Sequence, residues 1–482
     1  MSINSRKTPY YLLDLEKVKD NFLSFQKSIK SVGRNDIIAY SVKANYNPAI
    51  IELLKELDAF FEVCSDYEYN LMQSHDIPAS HIIVNGCFYN DFARYKDSII
   101  IIDTFDQLLK WKNKGSKEKI GIRINMDYMT ADDRFRNKKS RFGLQIQTKR
   151  VKELLKKIDT QNIVCLHCHL SGNNREPSIY RDVISNLQKI CKDFQFNNIR
   201  FFDIGGGYKI GSEAGFWSFD DYVKEISSVS IQDVQLIFEP GNSLVRDCAE
   251  YHTKVIAVKE VGDENIFVVD GSSLHIPTSG LKTLKYHFDH LNKQPGCSGK
   301  RIFGNTCKES DLLLTLNDDK LISVGDYLTI ENIGAYSLNE VSPFILGMPN
   351  VYLKTNDQIL IGNHLFNFVC KYCDCYNKNS NNHYTIIKQR NLENGLYAFV
   401  CNGVIIYIGV AYSRNITERV VQHFRKDSGG IRKKLSQDQI KELEQSSLYV
   451  CQLNGKKQDL LFEEALLIGL CKPKLNFYNH KP

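Results

Sequence analysis

The sequence predicts a parallel α/β barrel, followed by a β domain and a small C-terminal α+β unit. Short apolar runs alternate with amphipathic stretches over about the first 245 residues, which is typical of parallel strand–helix units. After about residue 245 the pattern changes to strands joined by turns. A polar, asparagine-rich stretch over 371–390 then has the composition of a linker.

Seven apolar runs are the predicted barrel strands: 37–42, 81–86, 99–103, 119–125, 163–170, 199–207 and 234–240. Stretches 48–61 and 149–160 are the clearest helices between them. Seven or eight such units in about 210 residues suit a (β/α)₈ barrel, and a doubly wound sheet is the alternative. Runs 253–262, 266–271 and 322–334 predict the β domain.

These elements divide the chain into five parts. The proposed divisions are an N-terminal segment contributing to the β domain (1–34), the barrel (35–245), the β domain (246–365), a linker (366–390) and the C-terminal unit (391–482).

Composition limits the function classes. Apolar residues make up 43% and charged residues 24% of the 482 residues, which excludes a largely disordered chain. A net charge of +6 is too mild at this length to indicate nucleic-acid binding by itself. No apolar run approaches the roughly 18 residues of a membrane span, and the residues MSINSRKTPYYLL have no apolar stretch of the length expected for a secretion signal. We therefore expect a cytoplasmic protein with reduced cysteines and no membrane partner.

Four residues of types that bind metals lie in or beside the predicted linker, namely Cys370, Cys373, Cys375 and His383. A zinc site is conceivable there. The Cys-x-Cys spacing with one distant histidine matches no closed structural zinc pattern, however. We therefore expect a cysteine-bearing linker.

Four features lie at the C-terminal ends of predicted barrel strands, where barrel enzymes carry their catalytic residues. They are Lys43, His169, the Gly205–Gly207 turn and Glu239. Each alone is commonly a rim lysine, a packed histidine, a tight turn or a strand exit. Their order within nine motifs over about residues 8–345 is more specific: TPYYLLDLEKVKDNF, SVKAN, FEVCSDYE, SRFG, CLHCH, FDIGGGY, FEPG, CKESD and GDYLTIENIGAYS.

This series resembles the alanine-racemase-fold pyridoxal-phosphate decarboxylases, the family of ornithine, lysine and diaminopimelate decarboxylases. The resemblance implies pyridoxal 5'-phosphate bound covalently to the amine of Lys43. It implies that Glu239 keeps the pyridine nitrogen protonated and that the His169 ring stacks on the cofactor. The Gly205–Gly207 turn and the Tyr336 hydroxyl would contact the phosphate.

The loop around CKESD completes the implied site. Cys307 matches the cysteine that the family delivers from a partner subunit to protonate the intermediate after carboxylate loss. Asp311 matches the acidic end of that loop and is expected to contact substrate. A site shared in this way implies a homodimer.

Three departures from the family pattern bear on ligands. Asn242 stands where the family has a phosphate-binding arginine, and Asn242 carries no charge. The segment 169–172 reads HLSG, which displaces a phosphate-binding hydroxyl. Lys308 replaces the acidic residue that holds a distal substrate amine, so an anionic or neutral distal group is favoured over ornithine or lysine. The alternative is that Lys308 turns to solvent and Glu309 binds the substrate.

The C-terminal unit carries a second series: GLY at 395–397, YIG at 407–409, then Arg419, His423, Glu464 and Asn476. It resembles the GIY-YIG nuclease superfamily over residues 394–478. The resemblance implies phosphodiester hydrolysis with Tyr397 and Tyr407 in the active-site tyrosine places. Arg419 would meet the charge on phosphate, His423 would assist proton transfer, and Glu464 would bind Mg²⁺ or Mn²⁺. Nucleic acid is the expected partner of this unit, although its basic run is also typical of a solvated helix face.

The main hypothesis is thus a pyridoxal-phosphate amino-acid decarboxylase with an appended nuclease-like domain. A racemase or other tailoring enzyme is one alternative, although Cys307 favours decarboxylation. Another is a nucleic-acid-processing enzyme whose barrel is a scaffold. A third is a nucleotide-linked anionic substrate in the barrel.

Overall fold

The computed structural model contains two large, clearly formed regions, a barrel and a β domain, followed by a smaller C-terminal sheet. No helix within its described part is long and apolar enough to cross a bilayer. The described residues are 7–87, 91–115, 118–126, 140–170, 175–231, 233–277, 285–289, 296–342, 344–354, 359–360, 373–376, 395–401, 404–411, 416, 418–420 and 435–452.

After a first strand, β1 (Tyr10–Leu13), eight parallel strands close into a barrel. Strand pairing runs in chain order, and the last strand returns to the first through Ile37–Ile237 and Ile38–Phe238. This closure confirms the predicted barrel and excludes the doubly wound sheet. The strands are β2 (Ile37–Ser41), β3 (Phe60–Val63), β4 (Ile82–Asn85), β5 (Ile99–Ile102), β6 (Ile120–Arg123), β7 (Ile163–His167), β8 (Phe201–Asp203) and β9 (Gln235–Phe238).

Aliphatic side chains fill the barrel interior, and the innermost cluster is Ile37, Ala39, Ile83, Ile101, Cys165 and Ile237. Gly121 on β6 makes room for this layer, because a Cβ there would lie 2.5 Å from Ile101 Cδ1. The packed interior holds the strand ends at fixed positions, and these ends carry the polar residues described below.

Helices surround the barrel and mostly begin at a side-chain cap, as Ser65, Thr104 and Ser218 show. The predicted helix 48–61 is too long. It ends at Glu56, Asp58 adopts a left-handed φ of +59°, and β3 begins at Phe60. The helices are α1 (Leu15–Ser31), α2 (Pro48–Glu56), α3 (Asp66–Ser74), α4 (Phe105–Asn113), α5 (Lys149–Leu155), α6 (Pro177–Phe194), α7 (Phe219–Ser227) and α8 (Asn242–Val245).

The β domain is organised around one long strand, β10 (Ala249–Val261), as the change in sequence pattern predicts. This strand pairs antiparallel with β1, with β11 (Glu264–Val269) and with β15 (Tyr327–Ile330). The remaining elements are β12 (Tyr286–Asp289), β13 (Cys297–Phe303), β14 (Leu312–Ile322), α9 (Ser337–Glu340), β16 (Asn350–Leu353) and β17 (Ile359–Leu360).

The C-terminal sheet has β19 (Gly395–Cys401) at its centre, paired antiparallel with β20 (Val404–Ala411) and β21 (Ser447–Gln452). Strand β18 (Cys373–Tyr376) falls within the range predicted as linker and pairs with β21. Helix α10 (Gln437–Gln445) precedes β21. One pair, Leu360–Val404, joins β17 to β20, so this sheet is continuous with that of the β domain.

Candidate active site

Lys43 lies immediately after β2, in a short 3₁₀ turn formed by Val42–Ala44. Its Nζ atom is hydrogen bonded to the carboxylate of Glu62, and it lies 3.4 Å from Cys64 Sγ. Burial alone would lower the pKa of Lys43, but Glu62, Cys64 and Glu239 together hold the pKa well above its usual value. The amine is therefore kept protonated by buried carboxylates.

Glu62 lies within the motif FEVCSDYE, but the sequence pattern alone does not single it out as a site residue. Glu62 is on β3, inside the barrel rim and without solvent exposure. Its Oε1 atom accepts hydrogen bonds from Cys64 Sγ at 2.8 Å and from Asn85 Nδ2 at 3.4 Å. The signal that could have found it is an acidic residue at the centre of the apolar run FFEVC, since a carboxylate is rarely buried without a partner.

Glu239 follows β9 and faces two histidines. One of its carboxylate oxygens is 3.5 Å from His167 Nε2 and 3.6 Å from His169 Nδ1. Neither oxygen accepts a hydrogen bond of normal length from the described residues, although the side chain is 1% exposed. Burial would raise the pKa of Glu239, but the two histidines hold it well below its usual range. A buried, ionised carboxylate of this kind is suited to a protonated ring nitrogen.

His169 lies at the exit of β7 and remains neutral, because burial lowers its pKa. Its Nδ1 atom accepts a hydrogen bond from the Gly206 amide at 3.2 Å, which orients the ring. His167, two residues earlier and the last residue of β7, was not singled out from the sequence. Asp203 on β8 lies beside it, and burial followed by the charge of Glu239 raises the pKa of Asp203 well above its usual value.

The Gly205–Gly207 turn requires glycine for steric reasons. Gly205 and Gly207 have φ values of +69° and +90°. A Cβ on Gly206 would lie 2.1 Å from the Glu239 carbonyl oxygen. The Gly205 and Gly206 carbonyls accept hydrogen bonds from the Tyr208 and Tyr180 hydroxyls at 2.8 and 2.9 Å, so the turn is held rigidly against the barrel.

Tyr336 brings the β domain to the barrel rim. Its backbone adopts a left-handed φ of +66°, and its amide donates to the Ala44 carbonyl at 2.7 Å. Its hydroxyl lies 3.6 Å from the position that a Cβ on Gly241 would occupy. Burial raises the pKa of Tyr336, so the hydroxyl stays protonated and can donate a hydrogen bond.

These side chains fit the groups of pyridoxal phosphate: an amine for its aldehyde, a carboxylate for its pyridinium, a flat ring for stacking and a glycine turn for its phosphate. The donor atoms of His167, His169 and Glu239 also lie within 4.8 Å of one another, which is compatible with a metal ion. The lysine and the glycine turn are unnecessary for a metal site, and they favour the phosphate-bearing cofactor.

The predicted substrate contact of Asp311 stays a prediction, and the structure shows what holds this carboxylate within its own chain. Asp311 is 2% exposed, and one oxygen accepts hydrogen bonds from Ser272 Oγ, Ser273 N and Ser273 Oγ at 2.7–2.9 Å. The other accepts from Thr306 Oγ1 at 2.6 Å and from the Thr306 amide at 3.2 Å. Five donors from its own chain occupy the carboxylate, so Asp311 holds the loop in place.

Cys307 and Lys308 are exposed at the tip of that loop. The Lys308 ammonium group lies 4.7 Å from the centre of the Phe344 ring, which is itself 46% exposed. Within the described residues, no hydrogen bond or ion pair joins either residue to Lys43. The loop therefore presents both side chains outward, while Asp311 anchors its base.

In the C-terminal sheet, Tyr397 and Tyr407 lie on β19 and β20, with ring centres 6.2 Å apart. Both rings are buried in a cluster with Phe399, and Tyr397 faces Gly409 across the strands. Arg419 is exposed on a helical segment. His423, Glu464 and Asn476 lie outside the described residues, as do Cys370, His383 and the Ser171–Gly172 part of HLSG.

Comparison with known proteins agrees with this geometry. Residues 15–246 match the family described as "Pyridoxal-dependent decarboxylase, pyridoxal binding domain". A diaminopimelate decarboxylase from Helicobacter pylori (strain J99) is 27% identical over 365 residues, covering 70% of this chain and 88% of that protein. The ornithine decarboxylase of Mus musculus is 26% identical over 392 residues, covering 73% and 82%.

The fold is also shared. A crystal structure of Helicobacter pylori diaminopimelate decarboxylase complexed with L-lysine gives a TM-score of 0.62 at 24% identity, covering 74% of this chain and 93% of that one. The barrel and β domain thus have the fold of the pyridoxal-phosphate decarboxylases. These matches support a relationship of this chain to the pyridoxal-phosphate-dependent amino-acid decarboxylases of the diaminopimelate, ornithine and lysine type.

Proposed function

We propose that the chain decarboxylates an amino acid or an amino-acid-derived substrate whose distal group is anionic or neutral, using pyridoxal phosphate. The observation that carries the proposal is the buried Glu239 carboxylate, which has no hydrogen bond of normal length among the described residues and shares the barrel rim with Lys43. Incubation of the purified protein with a panel of amino acids, followed by mass spectrometry, tests it through loss of carbon dioxide.

The residues present would divide the work as follows. The bound cofactor supplies an electron sink for the charge left by the departing carboxylate. Lys43 would hold the cofactor covalently, and Glu239 would accept a hydrogen bond from the pyridinium. The neutral His169 ring, oriented by Gly206, would pack against the ring face. A substrate that keeps its carboxylate and is recovered with inverted configuration would favour a racemase, and a product altered without loss of carbon dioxide would favour another tailoring enzyme.

Lys308 underlies the proposed substrate polarity. A cation at the loop tip repels a distal ammonium and attracts a carboxylate or phosphate. Lys308→Asp should therefore improve turnover of ornithine and lysine, and Glu309→Ala is the matched control on the same loop. Efficient ornithine turnover by the unaltered protein contradicts this polarity. A large loss with Glu309→Ala, and no effect of Lys308→Asp, assigns the contact to Glu309.

We also propose that the active unit is a homodimer in which Cys307 reaches the cofactor of a second chain. The outward position of Cys307 on an anchored loop supports this arrangement. Mixed Lys43→Ala and Cys307→Ala proteins should recover part of the activity, because one hybrid site has both residues intact. Hybrid dimers that form but stay inactive count against a shared site.

A second proposal is that the C-terminal sheet belongs to a metal-dependent nuclease. Its support is the cross-strand packing of Tyr397 of GLY against Gly409 of YIG, which places the two motifs side by side. Strand β18 lies before residue 391 and pairs with β21 inside 391–482, so the full chain is the right test protein. Glu464→Ala should reduce Mg²⁺- or Mn²⁺-dependent cleavage of DNA or RNA by about 10²-fold or more and leave decarboxylation unchanged. A wild-type protein that cuts no nucleic acid removes this proposal.

A further inference from the structure

The phosphate end of the proposed cofactor site lacks one expected charge. Asn242, at the start of α8, is neutral and stands where the resemblance implies an arginine. A phosphate group bound beside a protein backbone is stabilised by a cation able to donate charge-assisted hydrogen bonds. The structure therefore raises the question of which other cation lies beside the glycine turn.

Arg175 lies there. A Cβ built on Gly207 would be 2.6 Å from Arg175 Nε and 3.0 Å from its Cζ, so the guanidinium packs against the bare face of the turn. Within the described part of the chain, the Gly207 amide donates no hydrogen bond. An amide of the turn and a guanidinium thus lie together at the carboxyl ends of β7 and β8, as an oxyanion requires.

The position of Arg175 is fixed by its surroundings. Its Nη2 atom donates to the Leu170 carbonyl at 2.9 Å, and its own carbonyl accepts from the Tyr222 hydroxyl at 2.6 Å. That hydroxyl also accepts from the Lys209 amide at 3.1 Å, which ties Arg175 to the segment that follows the glycine turn. A guanidinium held in this way is already placed for a ligand.

Two neighbouring cationic residues, Arg246 and Lys209, are less suitable than Arg175 for contacting the phosphate. Arg246, four residues after Asn242, is 3.8 Å from Glu213 Oε1 and lies over the Phe216 ring. The Lys209 side chain is exposed.

We propose that Arg175 supplies the cationic contact to the cofactor phosphate that Asn242 cannot make. The charge has moved from the segment after β9 to the segment after β7, on the other side of the Gly205–Gly207 turn. This inference rests on the proposed binding of pyridoxal phosphate and assigns a role that the sequence motifs do not indicate.

The test compares pyridoxal phosphate with pyridoxal, which lacks only the phosphate, by titrating cofactor-free protein and following absorbance. Arg175→Gln should weaken pyridoxal phosphate binding about 10- to 100-fold, the value expected for one charge-assisted hydrogen bond, and leave pyridoxal binding unchanged. Arg175→Gln combined with Asn242→Arg should restore binding, because it returns a cation to the same phosphate from the opposite side. Lys209→Gln should have no effect on either ligand.

The outcomes separate a phosphate contact from a structural role. Equal loss of both ligands with Arg175→Gln, or with Arg175→Lys if the first variant does not fold, overturns the inference. Unchanged pyridoxal phosphate binding also overturns it, as does a loss caused by Lys209→Gln alone. A wild-type protein that binds neither ligand overturns the proposed function together with this inference.

Discussion

The barrel rim and the C-terminal sheet both carry sequence motifs. Packing within the fold accounts for the motif residues of the C-terminal sheet, but it does not account for the buried carboxylates of the rim. At the rim, Glu62 and Glu239 are buried carboxylates, and Glu239 lacks a hydrogen bond of normal length from the described residues. Burying a charged group in this way is unfavourable, and an apolar side chain at the same position would pack the barrel without that cost. In the C-terminal sheet, a Cβ on Gly409 would lie 2.3 Å from the Tyr397 ring, so packing alone accounts for both residues.

The difference shows how much weight each motif can carry. A buried charge that the fold leaves unsatisfied indicates a ligand, because selection for stability alone would remove it. A glycine and a tyrosine that pack on each other are expected in any protein with this hairpin. The decarboxylase proposal therefore rests on geometry, whereas the nuclease proposal needs chemistry from residues beyond the tyrosine pair.

The largest expected effect is at the rim. Lys43→Ala should reduce decarboxylation by about 10³-fold or more, because no other amine replaces the covalent cofactor link. Borohydride reduction and peptide mapping of the wild-type protein should place the pyridoxyl group on Lys43. Lys209→Ala, at an exposed lysine, is the matched control. A pyridoxyl group on another lysine in a fully loaded sample would contradict this prediction. It would indicate that Lys43, Glu62 and Glu239 have a structural role, so that the rim would not differ from the C-terminal sheet.

The hairpin is tested by separating packing from chemistry. Tyr397→Phe keeps the ring against Gly409 and removes only the hydroxyl, so a nuclease should lose about 10²-fold in cleavage. Gly409→Ala should lower thermal stability whatever the function, because the added Cβ overlaps the Tyr397 ring. Normal cleavage by Tyr397→Phe would indicate that the motif is purely structural in this chain.

These contrasts also show what could be read from sequence. Barrel strands were predicted to within a few residues because buried parallel strands form continuous apolar runs. The exception is β3, since its FFEV segment follows directly on an amphipathic helix and appeared to extend it. Lys43, Glu239 and the glycine turn were found because strand exits converge at one end of a barrel.

The roles of other site residues depend on tertiary contacts, which the residue type and its neighbours in the sequence do not indicate. The motif predicts a substrate contact for Asp311 but does not indicate that Ser272, Ser273 and Thr306 donate to its carboxylate, because only the folded loop brings these donors together. Glu62 and Arg175 were missed for the converse reason. The residues next to each of them in the sequence are typical of a strand or a loop. The residues that they contact, Lys43 for Glu62 and Gly207 for Arg175, are distant in sequence.

Glu68 extends the rim cluster and predicts a pH dependence of stability. It is buried in the first turn of α3 and accepts a hydrogen bond from the Cys64 amide at 2.5 Å. Burial raises the pKa of Glu68 to about 7 from 4.5. Its protonated form is therefore favoured by folding, and the contribution is present below about pH 4.5 and is lost as the pH rises through about 7.

Glu68→Gln should consequently gain stability relative to wild type as the pH rises from 5 to 8, by up to about 3 kcal/mol. Chemical denaturation at the two pH values measures the difference. Glu56→Gln, at an exposed position of α2, controls for the loss of a carboxylate. A difference between Glu68→Gln and wild type that does not change with pH would show that the rim tolerates an ionised Glu68.

The smallest expected effect concerns the pairing of Lys43 with Glu62. Only a deprotonated amine adds to an aldehyde, and the buried carboxylates hold the pKa of Lys43 well above its usual value. Glu62→Gln removes the nearest of these charges while burial continues to oppose protonation, so the pKa of Lys43 should fall. Covalent attachment of pyridoxal phosphate to cofactor-free protein should then be about 10-fold faster at a given pH below the pKa, with its pH profile shifted to lower pH. Absorbance-monitored mixing measures the profile, and Glu260→Gln on the exposed part of β10 is the control.

An unshifted profile would mean that Glu239 and Cys64 are sufficient to keep Lys43 protonated. Glu62 would then be a residue that only positions the lysine.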